Sequence, residues 1–182
     1  MFGFWNKKKY KIEVERVSTY ISPSTGIRSG KAVPGGYLPF KKNKKDAGFD
    51  LIATEDIELQ PGTVLKHPLN IRMKLPKGCY AEIKSKSGLG SKGLLVYAGV
   101  IDEEYRGIPH VVATNVLSSP PIPADYDDEN PRDPRQIIKI KRGEKIAQMV
   151  LYPYSDKYYI EEVDSIDTNT TRGQGGFGST GK

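Results

Sequence analysis

Gly99-Val100-Ile101-Asp102-Glu103-Glu104-Tyr105-Arg106-Gly107 is the stretch around which the chain is organised. Glycine at either end lets the backbone turn sharply, two β-branched residues run straight into a carboxylate, and an aromatic follows three positions later. This pattern predicts a β-hairpin that holds an acid beside a ring. Taken alone it equally describes a strand, turn and strand with charged residues at a wet tip, so the rest of the chain has to decide.

Outward from that hairpin, short apolar runs recur with turn signals between them. Residues 46–53 resume order after a long irregular stretch. Ile57 and Leu59 precede Pro61-Gly62, and Val64 and Leu65 follow it. Ile71, Met73 and Leu75 alternate until Pro76-Lys77-Gly78 turns the chain into Cys79, Ala81 and Ile83. Further runs fall at 94–98, 108–117, 136–140, 146–152 and 158–163, and 11–17 alternates as a half-buried strand does. Many strands at this spacing, with no amphipathic stretch of helical length, predict an all-β barrel or double-sheet jelly roll. A short turn of helix is expected at Ser87-Gly88-Leu89. His67, before Pro68, reads as a loop residue and His110 as strand, neither as a catalyst.

Size and composition limit what the chain can be. Its 182 residues suffice for one core on the usual scale of roughly 100–200 residues per domain. The single cysteine, Cys79, can make no internal disulfide, no metal cluster and no zinc-deaminase Pro-Cys-x-x-Cys site. The apolar start at residues 1–5 is too short for a signal-peptide core, and no window approaches the roughly 20 apolar residues of a membrane span. A soluble cytoplasmic protein is expected. Of the charges behind the net +6, residues 1–45 hold eleven Lys or Arg against two Glu, while 46–182 hold seventeen against twenty acids. The body is mildly acidic and the amino-terminal arm basic. Such an arm is more often solvated than bound to a polymer, so a nucleic-acid partner is not expected.

Three segments fall outside the strand pattern. Residues 18–45 form a long basic loop, and 118–135 combine five prolines with five acids, an exposed excursion between strands. Residues 164–182 contain five glycines and one aromatic and cannot build a core. Gly176 to Lys182 spells the spacing of a phosphate-binding loop but lacks the Ser or Thr after the lysine. Its exposed backbone N–H groups beside Arg172, Ser179 and Thr180 nevertheless suit a polyphosphate if something else orders them. The expected organisation is a β domain over 1–163 followed by a flexible carboxy-terminal lid over 164–182.

Five separated segments, in order, resemble the trimeric dUTPase family: Ala47-Gly48-Phe49-Asp50-Leu51, Lys86-Ser87-Gly88-Leu89-Gly90, the 99–107 hairpin, Gly143-Glu144-Lys145-Ile146-Ala147-Gln148, and Arg172-Gly173-Gln174-Gly175-Gly176-Phe177-Gly178-Ser179-Thr180-Gly181. The resemblance covers 46–117 and 136–181. It implies a jelly-roll subunit in a homotrimer with shared active sites that hydrolyses dUTP to dUMP and pyrophosphate with Mg²⁺. Asp102 would orient and activate the water attacking the α-phosphorus. Tyr105 would lie against the deoxyribose and leave no room for a 2′-hydroxyl, while main-chain groups from Gly99 onward would pair with uracil. Lys86, Ser87, Gly88 and Gln148 would grip the phosphates, and Asp50 would reach Mg²⁺ through its waters. Phe177 would stack on the base, with Arg172, Gly178, Ser179 and Thr180 closing over the γ-phosphate. Lys86 departs from the arginine usual in the family, which exchanges a bidentate fork for a point charge. Two other readings share the fold: a dCTP deaminase or bifunctional relative, which the complete tail and Lys86-Ser87-Gly88 argue against, and a regulatory binding protein, which the intact Asp102 and Tyr105 argue against.

Overall fold

The computed structural model describes residues 10–17, 35–117 and 136–171. The basic segment 18–34, the excursion 118–135 and the tail from Arg172 onward lie outside them. Among the described residues the chain forms eleven strands and one helical turn. These are β1 Glu13–Arg16, β2 Phe49–Ile52, β3 Ile57–Leu59, β4 Val64–Pro68, β5 Ile71–Lys74 and β6 Cys79–Lys84. After α1 Ser87–Gly90 come β7 Leu94–Ala98, β8 Val100–Ile101, β9 His110–Asn115, β10 Ile138–Ile140 and β11 Lys145–Pro153.

Every ladder is antiparallel. A four-stranded sheet runs β2-β11-β6-β8 and a three-stranded sheet β4-β9-β7, with β1 on β5 and β10 on β3 as two-stranded flanks. The alternation in the sequence is what buries one face of each strand. Ile71 and Met73 face inward from β5 while Arg72 and Lys74 face out, and Ala81 and Ile83 do the same from β6. They meet Leu51, Leu94, Val111, Ile140, Ile146 and Met149 in one contiguous core. Gly62 and Gly78, with φ of 71° and 75°, make the turns that Pro61 and Pro76 begin.

Asn115 joins the two sides of the excursion. Fully buried, its amide donates to the carbonyls of Leu59 (3.0 Å) and Gln136 (2.7 Å) and its oxygen accepts from Leu117 N–H (3.1 Å). One side chain thus fastens the chain where it leaves β9 and where it returns toward β10.

Two expectations need correction. Residues 158–163, read as a last strand, pair with nothing among the described residues, and their apolar side chains stand in solvent, Ile160 completely. His67 is no loop residue: it lies in β4 and is 1% exposed. The backbone N–H of Thr54 donates to its Nε2 at 3.0 Å, so the ring is neutral with its proton on Nδ1, which finds no hydrogen-bond partner. Burial, with a smaller contribution from His110, pushes the His67 pKa down to about 4.

The unfolded chain binds this proton near pH 6.5, the folded chain only near 4. The stability is therefore complete above pH 6.5 and is lost as pH falls through that window, by roughly 3 kcal/mol for a shift of this size. Urea denaturation from pH 7 to 4 should show this decline, and His67→Gln should flatten it.

Candidate functional site

The first group of functional side chains gathers where β2, β11 and the end of β6 meet. Register places Asp50 opposite Gln148, and Gln148 opposite Lys84. A register shift between Lys145 and Ala147 lets Ile146 and Ala147 both turn into the core while Lys145 still reaches Asp50. The Lys145 ammonium donates to Asp50 Oδ2 at 2.6 Å, and the Lys86 ammonium donates to Oδ1. Burial alone would raise the Asp50 carboxyl, but the hydrogen bonds and charges of Lys145 and Lys86 outweigh it and hold it below the ordinary carboxylate value.

Gln148 donates from Nε2 to the carbonyl of Ser85 at 3.0 Å, and Ser85 Oγ accepts from Val96 N–H at 2.9 Å. These bonds fix the approach to α1, whose first residues are Ser87 and Gly88. A Cβ at Gly48 would stand 2.5 Å from Gln148 Oε1, so the Gln148 side chain would have to move from its place on Ser85. Added methyls at Gly88 or Gly99 would instead meet no atom of the described chain.

The second group is the turn after β8; residues 99–107 are not the expected β-hairpin, because β8 pairs with β6 while the next strand, β9, pairs with β4 and β7 in the other sheet. β8 pairs with β6, Ile101 opposite Ala81 and Val100 opposite Glu82, and delivers Asp102 to a turn closed by Tyr105 N–H on the Asp102 carbonyl at 3.1 Å. Tyr105 keeps its ring half exposed, its hydroxyl donating to the Ile108 carbonyl at 3.2 Å. The ring fills the space a side chain at Gly107 would need. Asp102 and Val100 line an open cleft of about 520 Å³ with Tyr80, Glu82, Glu103 and Tyr154.

Glu103 was not singled out in the sequence, yet it anchors this turn. Its Oε2 accepts from Gly78 N–H at 2.6 Å and from the Tyr154 hydroxyl at 2.8 Å, and the Gly78 bond, then Tyr154, hold its carboxyl below the ordinary value. Lys145 was likewise missed as a site residue. Its signal, a lysine three positions before Gln148, acquires meaning only through the register shift.

The two groups lie toward opposite ends of β6. Asp102 follows Ile101, which faces Ala81, whereas β6 runs on to Lys84 and Lys86 comes two residues after its end, a span of about 20 Å at roughly 3.3 Å per residue. Asp50, Lys86, Ser87, Gly88 and Gln148 are brought together; Asp102 and Tyr105 stand apart, with Gly99 at the break between β7 and β8. Arg172, Phe177, Gly178, Ser179 and Thr180 fall outside the described residues. No three His, Cys, Asp or Glu among the described residues cluster to hold a metal, and both Asp50 oxygens face ammonium groups. A magnesium ion would have to compete with two fixed cations for that carboxylate, so Asp50 does not fit a resident magnesium site.

A jelly-roll β chain with two lysines on one carboxylate beside a glycine-containing turn, and a separate carboxylate turn, has the cationic donors and, among the described residues, the free acid that a phosphate ester would require. The particular family follows from comparison: a model described as dUTPase matches residues 36–120 and 133–181, and this chain belongs to the dUTPase family. It is 38% identical to the deoxyuridine 5′-triphosphate nucleotidohydrolase of Gloeothece citriformis, over 85% of this chain and 96% of that protein. Its fold is similar to that of the Staphylococcus bacteriophage 80alpha dUTPase with dUPNHPP, with TM-score 0.71 and 23% identity over 94% of this chain and 99% of that one. A mutant dUTPase of phage phi11 of S. aureus, described with a structural Mg(II) ion, aligns with TM-score 0.62 and 22% identity over 85% of this chain and 97% of that one.

Gly48→Ala should lower stability by roughly 1–3 kcal/mol, the usual cost of overpacking. Chemical denaturation of Gly48→Ala with Gln148→Ala should recover most of that loss, because the obstructing side chain is gone.

Proposed function

We propose that this chain hydrolyses dUTP, taken as its magnesium complex, to dUMP and pyrophosphate in a homotrimer whose active sites lie between subunits. The observation that supports the shared site is that Asp102 and Lys86 follow opposite ends of the β6–β8 ladder, about 20 Å apart at roughly 3.3 Å per residue. At that spacing, a triphosphate held by Lys86 of one chain is better served by Asp102 of a neighbouring subunit.

The segment after β11 supports the same assembly. Tyr154 N–H is fixed to the Gly78 carbonyl at 3.0 Å, and beyond it Tyr158, Tyr159, Ile160 and Ile166 extend into solvent. Apolar side chains so placed suit burial against a second copy of the chain. The arm would then carry the tail, a lid of residues 164–182 on the domain 1–163, to a neighbouring site. A cytoplasmic location accords with the lone free Cys79.

In the assembled site Asp102 orients and deprotonates the attacking water, a contribution of roughly 10²–10⁴-fold for positioned general-base catalysis. Asp102 has no hydrogen-bond partner for its carboxylate among the described residues and is therefore available for that work. Tyr105, held by Ile108 and Gly107, presents its ring to the deoxyribose and excludes a 2′-hydroxyl. Main-chain groups from Gly99 read uracil, where geometry fixed before binding avoids reorganisation. Lys86, Ser87, Gly88 and Gln148 grip the phosphates; the open space at Gly88 and Gly99 suits close approach by a ligand. Phe177 stacks on the base, and Arg172, Gly178, Ser179 and Thr180 close over the γ-phosphate, excluding bulk water.

Pyrophosphate release should be rapid with dUTP and at least 10²-fold slower with UTP, dTTP and dCTP, and Asp102→Asn should fall by 10² or more, within the general-base range. UTP turnover at the dUTP rate would remove the role given to Tyr105, and ammonia release from dCTP would point to a deaminase. Co-refolding equal amounts of inactive Asp102→Asn and Lys86→Ala chains should restore roughly a quarter of wild-type activity, the share of intact mixed interfaces in random assembly. No recovery would place both residues in one chain's site.

A further inference from the structure

We propose that Lys145 is a second phosphate-binding cation and that Asp50 is the positioning residue that holds it and Lys86 as a fixed pair for adjacent phosphoryl groups. This rests on the dUTPase reading of the site and assigns roles within it.

The geometry is unusual for a simple ion pair. One carboxylate, 11% exposed, is shared by two ammoniums that are 26% and 38% exposed, one on each oxygen. The anion is covered and the cations form its outer layer. Two positive charges around one negative leave a net positive charge facing outward. An ammonium has three donors, and each spends one on Asp50, so four N–H donors remain for a ligand.

Lys145 is constrained on its other side as well. Its ammonium lies 5.2 Å from the centroid of the Phe40 ring, and the Phe40 backbone is bridged to Asp50 itself. The register shift in β11 is what aims the side chain at this point instead of along the sheet. Lys145, more than a third exposed, adds little as a device for holding strands together once Lys86 already pairs the same carboxylate. As a recognition device it is effective. A single lysine lacks the paired donors of a guanidinium, and two lysines tied to one carboxylate restore a paired donor set of fixed spacing. The ligand class is a polyphosphate, whose neighbouring phosphoryl groups take up more of the four remaining donors than a single phosphoryl group does.

The test uses the full-length chain and inorganic tripolyphosphate in EDTA, read by calorimetry, beside dUTP turnover and dUMP inhibition in Mg²⁺. Lys145→Ala should weaken tripolyphosphate binding at least tenfold and raise KM for dUTP similarly, while the inhibition constant of dUMP changes less than threefold. Lys145→Arg should retain most of the affinity. Asp50→Asn, which frees the two ammoniums to separate, should weaken tripolyphosphate binding without metal present, and the Mg²⁺ concentration for half-maximal activity should stay within twofold of wild type. Unchanged tripolyphosphate affinity in Lys145→Ala, with wild type hydrolysing dUTP, would overturn the inference. Absence of dUTP turnover by wild type would instead overturn the functional reading while leaving the binding result to be judged by itself. If Asp50→Asn fails to fold, the Lys145→Ala and Lys145→Arg pair still decides.

Discussion

The central constraint is the double pairing of β6. On one edge it is bonded to β11 from Cys79 to Lys84, and on the other to β8 through Ala81 and Glu82. A strand held on both edges cannot shorten or bend to bring its ends together, because every displacement would break ladder hydrogen bonds whose groups would be left buried and unpaired. Its amino-terminal end therefore keeps Asp102, and its carboxy-terminal end leads into Lys86 and α1. The division of the site between two locations follows from the sheet, and in the proposed assembly a neighbouring chain completes it.

Each location is stiffened by its own local chemistry. After β8 Glu103 ties the turn to Gly78 and Tyr154, so the carboxylate of Asp102, the next residue back, is displayed from a fixed backbone. Tyr154 is also the first residue beyond β11, so the same carboxylate steadies the root of the exposed arm. At the other location Asp50 is buried at the price of pairing with two lysines, and Gln148 pins the Ser85 carbonyl just before them. Both arrangements put charged groups in set positions before a ligand arrives, which is where electrostatic recognition gains most.

Much of this was legible in the sequence. Alternation at Ile71, Met73, Ala81 and Ile83 located strands and their buried faces, the Pro-Gly pairs located turns, and α1 began where Ser87-Gly88-Leu89 suggested. The turn that displays Asp102 was visible because its residues are contiguous, but it was read as a hairpin, and which strands its two arms pair with, β6 for β8 and β4 and β7 for β9, lies outside any local pattern. What was not legible depends on register or on partners distant in the chain. Lys145 reaches Asp50 only through a one-residue irregularity that no periodicity reveals, and Glu103 finds Gly78 25 positions away. His67 looked like a loop residue because Pro68 follows it, but an edge position in β4 tolerates that proline. Residues 158–163 have strand-like composition and no strand partner in their own chain, since apolarity indicates that a segment will be covered without indicating by which molecule.

The central claim is that catalysis joins the Asp102 end of one chain to the Lys86 end of another. A crystal structure with dUPNHPP measures this directly. The account predicts the α-phosphorus between Asp102 of one subunit and Lys86 of a second, with Lys145 beside the distal phosphates. A nucleotide contacted by Asp102 and Lys86 of the same subunit would contradict it.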